Sequence, residues 1–173
     1  MAADDEFLRA TLPALDLVHS LARRFVLQRA DAEDLVQETY LRAWQAWTSG
    51  RRPRRLEPWL ATICLNVGRD WIRRSRSRRE EPVAELGWEA ADTADVELEA
   101  IARLRRAQLD RVLWSLPTEQ RVAITLMDVG GFTAAEVAGM TGSPRGTVLA
   151  RVHRGRKALA RLVQQEEERR HAP

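Results

Sequence analysis

The chain has 173 residues, 45% hydrophobic and 31% charged, with a formal net charge of +3. That length holds one or two small domains, and two halves of roughly 70 residues each have thin cores. A lone cysteine, Cys64, excludes an intrachain disulfide and points to a reducing cytosol, with the thiol read as a small buried hydrophobe. The acidic start MAADDEFLRA lacks the pattern of a signal peptide, and no apolar run approaches the ~20 residues of a membrane span.

Leu, Ala, Arg and Glu dominate, and no glycine precedes Gly50, which favours helices over sheets. Residues 6–29 predict one or two helices, with Phe7, Leu8, Leu12, Leu15, Val18, Leu21, Ala22, Phe25 and Val26 at helical spacing and Pro13 as a kink or restart. Asp31 is placed to cap the next helix, expected from Ala32 to Trp47. Leu35, Val36, Thr39, Tyr40, Ala43 and Trp47 are its core side, while Asp34, Gln37, Glu38, Leu41 and Gln45 share another face. A loop at Thr48–Pro58 and a helix from Trp59 to Arg76 follow, the helix carrying Leu60, Ile63, Cys64, Val67, Trp71 and Ile72 as an apolar stripe. Glu80 to about Asp95 is acidic and Ala-rich and reads as a linker.

The second half predicts a helix from Val96 to Trp114, a break at Ser115–Thr118, and a helix to about Val129, begun by Pro117 and ended by Gly130-Gly131. Thr133 with Glu136 makes a capping box for a short helix to about Met140. Thr141-Gly142-Ser143 is a tight turn, and Ser143 and Pro144 open a last helix reaching about Glu168.

Charge is segregated along this frame. Arginines crowd residues 51–79, residues 80–99 carry no Lys or Arg, and charges from Arg145 to Arg161 are all positive. Two separated basic patches fit a polyanion touched at two places. The span Phe132–Lys157 has the cap, turn and basic helix of a helix-turn-helix, with a basic helical hairpin as the alternative. Val137, Ala138, Val148 and Val152 would hold its two helices together, leaving Thr147, Ala150, Arg151, His153 and Arg154 outward; Arg145, Arg154, Arg156 and Lys157 are phosphate partners. The arginines of the first half interleave with Trp47, Trp59 and Trp71, a pattern suited to single-stranded DNA, although Trp71 reads as core.

Asp31-Ala32-Glu33-Asp34-Leu35-Val36-Gln37-Glu38-Thr39-Tyr40-Leu41-Arg42-Ala43-Trp44 resembles region 2 of the sigma-70 family, extracytoplasmic-function (ECF) group, and Trp59–Asp70 resembles the remainder of that region. Leu116-Pro117-Thr118-Glu119-Gln120-Arg121 and the helix-turn-helix resemble region 4. The resemblance implies an all-α protein of two small helical domains, a region 2 bundle at 1–79 and a region 4 helix-turn-helix at 98–173, joined by an acidic linker at 80–97. It implies a cytoplasmic promoter-specificity factor, not an enzyme, without a cofactor or a homo-oligomer. The expected partners are core RNA polymerase, promoter DNA in double- and single-stranded form, and an anti-sigma factor.

By the same resemblance, Asp34, Gln37, Glu38 and Leu41 would dock on the clamp helices of the polymerase largest subunit, and region 4 on the flap of the second subunit. Arg51, Arg52, Arg54 and Arg55 lie in the loop expected to capture a flipped −10 base. Trp59, Thr62, Ile63, Asn66 and Arg69 would line the melting strand, with Arg73, Arg74 and Arg76 on upstream phosphates. Arg145, Thr147, Leu149, Ala150, Arg151, His153, Arg154, Arg156 and Lys157 would serve the −35 element. Family members often carry basic or hydroxyl side chains where Leu149 and Ala150 stand, which shifts the expected readout toward Arg145, Arg151, His153 and DNA shape. The loop is also unusually rich in arginine, which would strengthen non-specific strand binding. Two other readings stay open at this point. A recombinase or nuclease would show magnesium-dependent strand cleavage, although His19, His153 and His171 lack metal-type spacing; a dimeric regulator would bind a palindrome without polymerase.

Overall fold

The computed structural model describes residues 2–26, 28–78 and 112–171, and among these every regular element is a helix. The expected acidic linker and most of the helix expected from Val96 lie outside the described residues.

The first unit opens with α1 (Ala2–Thr11), a 3₁₀ turn (Leu12–Ala14) and α2 (Leu15–Ala22). Pro13 sits in that turn, where its missing N–H interrupts the helix, as the sequence predicts. Leu8 and Leu12 share the apolar periodicity but stay exposed, and α2 stops at Ala22, well short of residue 29. Helix α3 (Arg29–Thr48) starts earlier than expected: Gln28 is its N-cap, and Asp31 lies inside the first turn, still on the side that the helix dipole favours. Helix α4 (Leu56–Arg78) also starts early and takes Pro58 into its first turn, where no intrahelical N–H is required.

Phe7 explains why α1 belongs to this bundle. Its ring lies edge-on to Tyr40, Trp44 and Trp47 at centroid distances of 6.3, 5.3 and 5.7 Å, an arrangement that suits the ring quadrupoles. The Tyr40 hydroxyl donates to the carbonyl of Thr11, meeting one orphan acceptor at the end of α1. Below this cluster, Val18, Leu21, Leu35, Leu60, Cys64, Leu65 and Val67 are fully buried. Buried Thr11 and Thr39 turn their hydroxyls back to the carbonyls four residues earlier, so neither is left unsatisfied.

In the second unit a helical turn at 112–114 leads to α5 (Thr118–Ile124), with Pro117 as N-cap rather than first helical residue. The helix then widens into a π turn (Thr125–Val129), closed by Gly130 N–H on the Thr125 carbonyl, and the chain leaves through Gly131 at φ +68°. Helices α6 (Ala134–Thr141) and α7 (Arg145–His171) complete it. The two thin cores join: Val122, Leu126, Phe132, Val137, Met140 and Val148 belong to the same buried cluster as the first unit's core.

Candidate nucleic-acid interface

Helices α6 and α7 form the expected helix-turn-helix. Thr133 Oγ1 accepts from the Glu136 N–H, and the Glu136 carboxylate accepts from the Thr133 N–H at 2.8 Å, a complete capping box. Gly142 sits at φ +66° in the turn, a left-handed conformation that glycine adopts without the Cβ penalty. Val137, Val148 and Val152 are buried between the helices, with Ala138 packed beside them.

The first turns of α7 present Arg145, Gly146, Leu149, His153, Arg154 and Lys157 to solvent, with Thr147 and Ala150 half-buried. Arg151 departs from its expected outward placement. One guanidinium nitrogen donates to Ser143 Oγ at 2.7 Å and another meets Glu119 Oε2 at 2.9 Å, leaving the side chain 21% exposed. Beside inward-facing Val148 and Val152, position 151 borders the core, and these two acceptors draw the side chain toward α5. Arg156 is also engaged, its Nε 3.0 Å from Asp128 Oδ2 and Nη2 on the other carboxylate oxygen.

On the first unit, Trp59, Thr62, Ile63, Asn66, Arg69 and Arg73 recur at three- and four-residue steps and so share one face of α4. Asn66 is exposed; Trp59 and Ile63 are half-buried against the core, and Thr62 donates back to the Pro58 carbonyl at 2.7 Å. Trp71 is likewise half-buried against the core, as its spacing predicts. In the loop, Arg51 and Arg54 point to solvent. Arg52 lies over the Trp47 ring, 4.1 Å from its centroid, and donates to the Trp47 carbonyl. Arg74 is exposed, and Arg73 pairs with Asp70 at 3.0 Å; the side chain of Arg76 lies outside the described residues.

Two of these arginines reach the other unit. Arg55 pairs with Glu136, and Arg69 donates to the Thr141 carbonyl at 3.0 Å, at the C-terminal end of α6. The Thr133 amide, the Thr133 hydroxyl and Arg55 hold the Glu136 carboxyl below the usual range. The side of α4 that carries Arg69, and the loop before it, therefore abut the helix-turn-helix. Sequence spacing carries no signal for these contacts, because each joins residues more than seventy positions apart.

Helix α3 carries the third surface. Asp34, Gln37 and Leu41 are exposed, whereas Glu38 accepts from Arg42 Nε at 2.7 Å, and Arg42 reaches Asp70 at 3.3 Å. Among the described residues, no group of three or more His, Cys, Asp or Glu is placed to hold a metal, and no helix is long and apolar enough to cross a membrane.

Among the described residues, the fold is that of a two-module helical protein whose second module carries a helix-turn-helix, the class of fold that DNA-binding proteins use. Residues 13–78 match the family Sigma-70 region 2, and residues 106–159 match Sigma-70, region 4. The ECF RNA polymerase sigma factor SigM of Mycobacterium tuberculosis is 36% identical over 146 residues, covering 84% of this chain and 71% of that protein. SigE of Mycolicibacterium smegmatis is also 36% identical, and the chain spans only 56% of its length. The ECF RNA polymerase sigma-E factor of Escherichia coli K12 is 30% identical, with 85% and 81% covered. The sigma factor RpoE of Bartonella quintana, solved with the anti-sigma factor NepR, superposes with a TM-score of 0.74 at 26% identity, covering 92% of this chain and 97% of that one. CnrH, solved with the cytosolic domain of CnrY, superposes with a TM-score of 0.68 at 26% identity, covering 94% and 90%.

The chain belongs to the ECF group of the sigma-70 family. Members of that family give RNA polymerase its promoter specificity at initiation, and this chain is one of them.

Proposed function

We propose that residues 1–79 and 98–173 act as the two promoter-reading modules of one initiation factor, tethered through 80–97. In this reading α7 enters the major groove of a −35 element. Arg51 and Arg54, with the α4 face of Trp59, Thr62, Ile63, Asn66 and Arg69, receive the −10 strand. Asp34, Gln37 and Leu41 dock on the clamp helices of the polymerase largest subunit, with Glu38 held in place by Arg42, and region 4 meets the flap. The chemistry of transcript synthesis belongs to the polymerase.

The observation that carries the reading is the pairing of a capped helix-turn-helix with a second, arginine-bearing helical face in one chain. Because Arg55 and Arg69 hold the helix-turn-helix against α4, promoter engagement requires these two contacts to part. The relatives solved with partner proteins support an anti-sigma partner for this chain. The absence of a helix long and apolar enough to cross a membrane, among the described residues, fits a factor that works beside the polymerase in the cytoplasm.

Run-off transcription with bacterial core polymerase on genomic fragments tests the reading, and defined start sites are the expected result. A pull-down of core polymerase with Asp34→Lys examines the docking face separately. Asp34 is the better probe because replacing Glu38 also removes one of the two carboxylates that hold Arg42. Failure of every fragment to yield a defined start would reject the assignment.

A further inference from the structure

The orientation of Arg151 changes what the recognition helix has available for reading bases. At about 100° per residue, Arg145 and Arg154 fall on opposite margins of the exposed face of α7. Between them in angle stand Gly146, Leu149, Ala150 and His153 on the first turns, with Arg156 and exposed Lys157 on the same arc farther along the helix axis. Leu149 is 45% exposed, and the space around Gly146 is open. The guanidiniums of Arg151 and Arg156 are already committed to Ser143 and Glu119 and to Asp128. The middle of this face therefore offers no free arginine for a bidentate bond to guanine. Its first turns offer an isobutyl group, a methyl group and one imidazole, flanked by Arg145 and Arg154 and followed about two turns beyond Leu149 by Lys157, cations suited to phosphates. In the major groove, the base-edge group that matches apolar carbon is the 5-methyl of thymine.

We propose that Leu149, with Ala150 beside it, is a specificity-determining contact that reads thymine 5-methyl groups in the upstream promoter element. The proposal rests on the promoter reading above and names the base chemistry that this reading leaves open. Gly146 lets the helix approach closely, and Arg145 and Arg154 straddle the groove to set its depth. Leu149 makes no hydrogen bond to a base, so its contribution is removal of methyl surface from water, on the scale of about one buried carbon.

The test uses holoenzyme reconstituted with core polymerase. Duplexes bound from a random pool define the upstream element, and each thymine in it is then replaced singly by uracil, which lacks only the 5-methyl group. Uracil should weaken wild-type binding about threefold to tenfold at one or two adjacent positions. Leu149→Ala should bind the thymine site more weakly by a similar factor and should no longer distinguish thymine from uracil there. Equal wild-type affinity for thymine and uracil at every position would overturn the proposal, as would undiminished uracil sensitivity in Leu149→Ala. If the holoenzyme selects no upstream element, the promoter reading itself fails, which is distinct from a selected element indifferent to methyl groups.

Discussion

Arg121 Nε donates to the backbone carbonyl of Arg24 at 2.8 Å, joining α5 of the second unit to the turn that follows α2 in the first. The same guanidinium reaches the carbonyls of Trp114 and Leu116 at 3.2 and 3.3 Å and lies 3.8 Å from the Trp114 ring centroid. It is only 4% exposed, and burial together with nearby Arg24 pulls its pKa down to about 10. A fork of several donors satisfies three carbonyls that would otherwise lose their partner away from water. Arg121→Met should therefore cost about 2–4 kcal/mol in urea denaturation. Arg121→Lys should recover less than half of that, because an ammonium cannot span the same acceptors. Equal stability of wild type and Arg121→Met would show that water replaces the fork.

Two glycines should respond to alanine with opposite signs. A Cβ on Gly68 would lie 2.4 Å from the Phe25 ring, which is itself buried between helices. Overpacking of this kind costs about 1–3 kcal/mol, against about 1 kcal/mol of helix propensity gained. A Cβ on Gly139, in α6, meets nothing within 4 Å. Gly68→Ala should lower the urea midpoint and Gly139→Ala should raise it. A stabilised Gly68→Ala would mean that α4 and Phe25 separate easily.

Cys64 should behave as a core atom and not as a reactive thiol. Burial is the main cause that pushes its pKa from 9.0 up to about 12, with a Thr39 hydrogen bond opposing it, and Sγ lies 3.8 Å from the Val18 carbonyl. The folded state keeps the proton that the unfolded state releases, so this group's stabilisation is complete below about pH 9 and is lost as pH rises toward 12. Arg121 contributes with the opposite sign above about pH 10, so the clean window is pH 9–10. Between those values, wild type should lose stability relative to Cys64→Ala. Thiol labelling at neutral pH should proceed only as fast as the chain unfolds.

Arg151 should act by position. Its contacts to Ser143 and Glu119 tie α7 to the turn and to α5, and the pair with half-exposed Glu119 is worth about 0.2–1 kcal/mol. Arg151→Ala should weaken binding to all upstream sequences alike while leaving the preferred sequence unchanged. A changed base preference at a single position in a binding selection would restore Arg151 to the role of reader, as its sequence position alone predicts.

Local rules were sufficient for much of this protein. The Thr133–Glu136 box, the left-handed Gly142 turn, the break at Pro13 and the buried seam of Val137, Val148 and Val152 all depend on neighbours within one or two turns, so the chain order of residue types determines them. Periodicity failed where burial depends on distant partners: Leu8 and Leu12 have core spacing but are left exposed by the described residues, and α3 and α4 start earlier than their cap and proline signals suggest. The choice between an arginine that reads DNA and one that holds helices together was tertiary. Arg55, Arg69, Arg121 and Arg151 are chemically alike in the sequence. Each became fixed when the fold brought a carbonyl, hydroxyl or carboxylate within hydrogen-bonding distance of its guanidinium. An ionic or hydrogen-bonding partner is set by separation in space, which residue order does not encode for Arg55, Arg69 and Arg121, whose partners lie more than seventy positions away, nor for the Arg151 pair with Glu119 across helices.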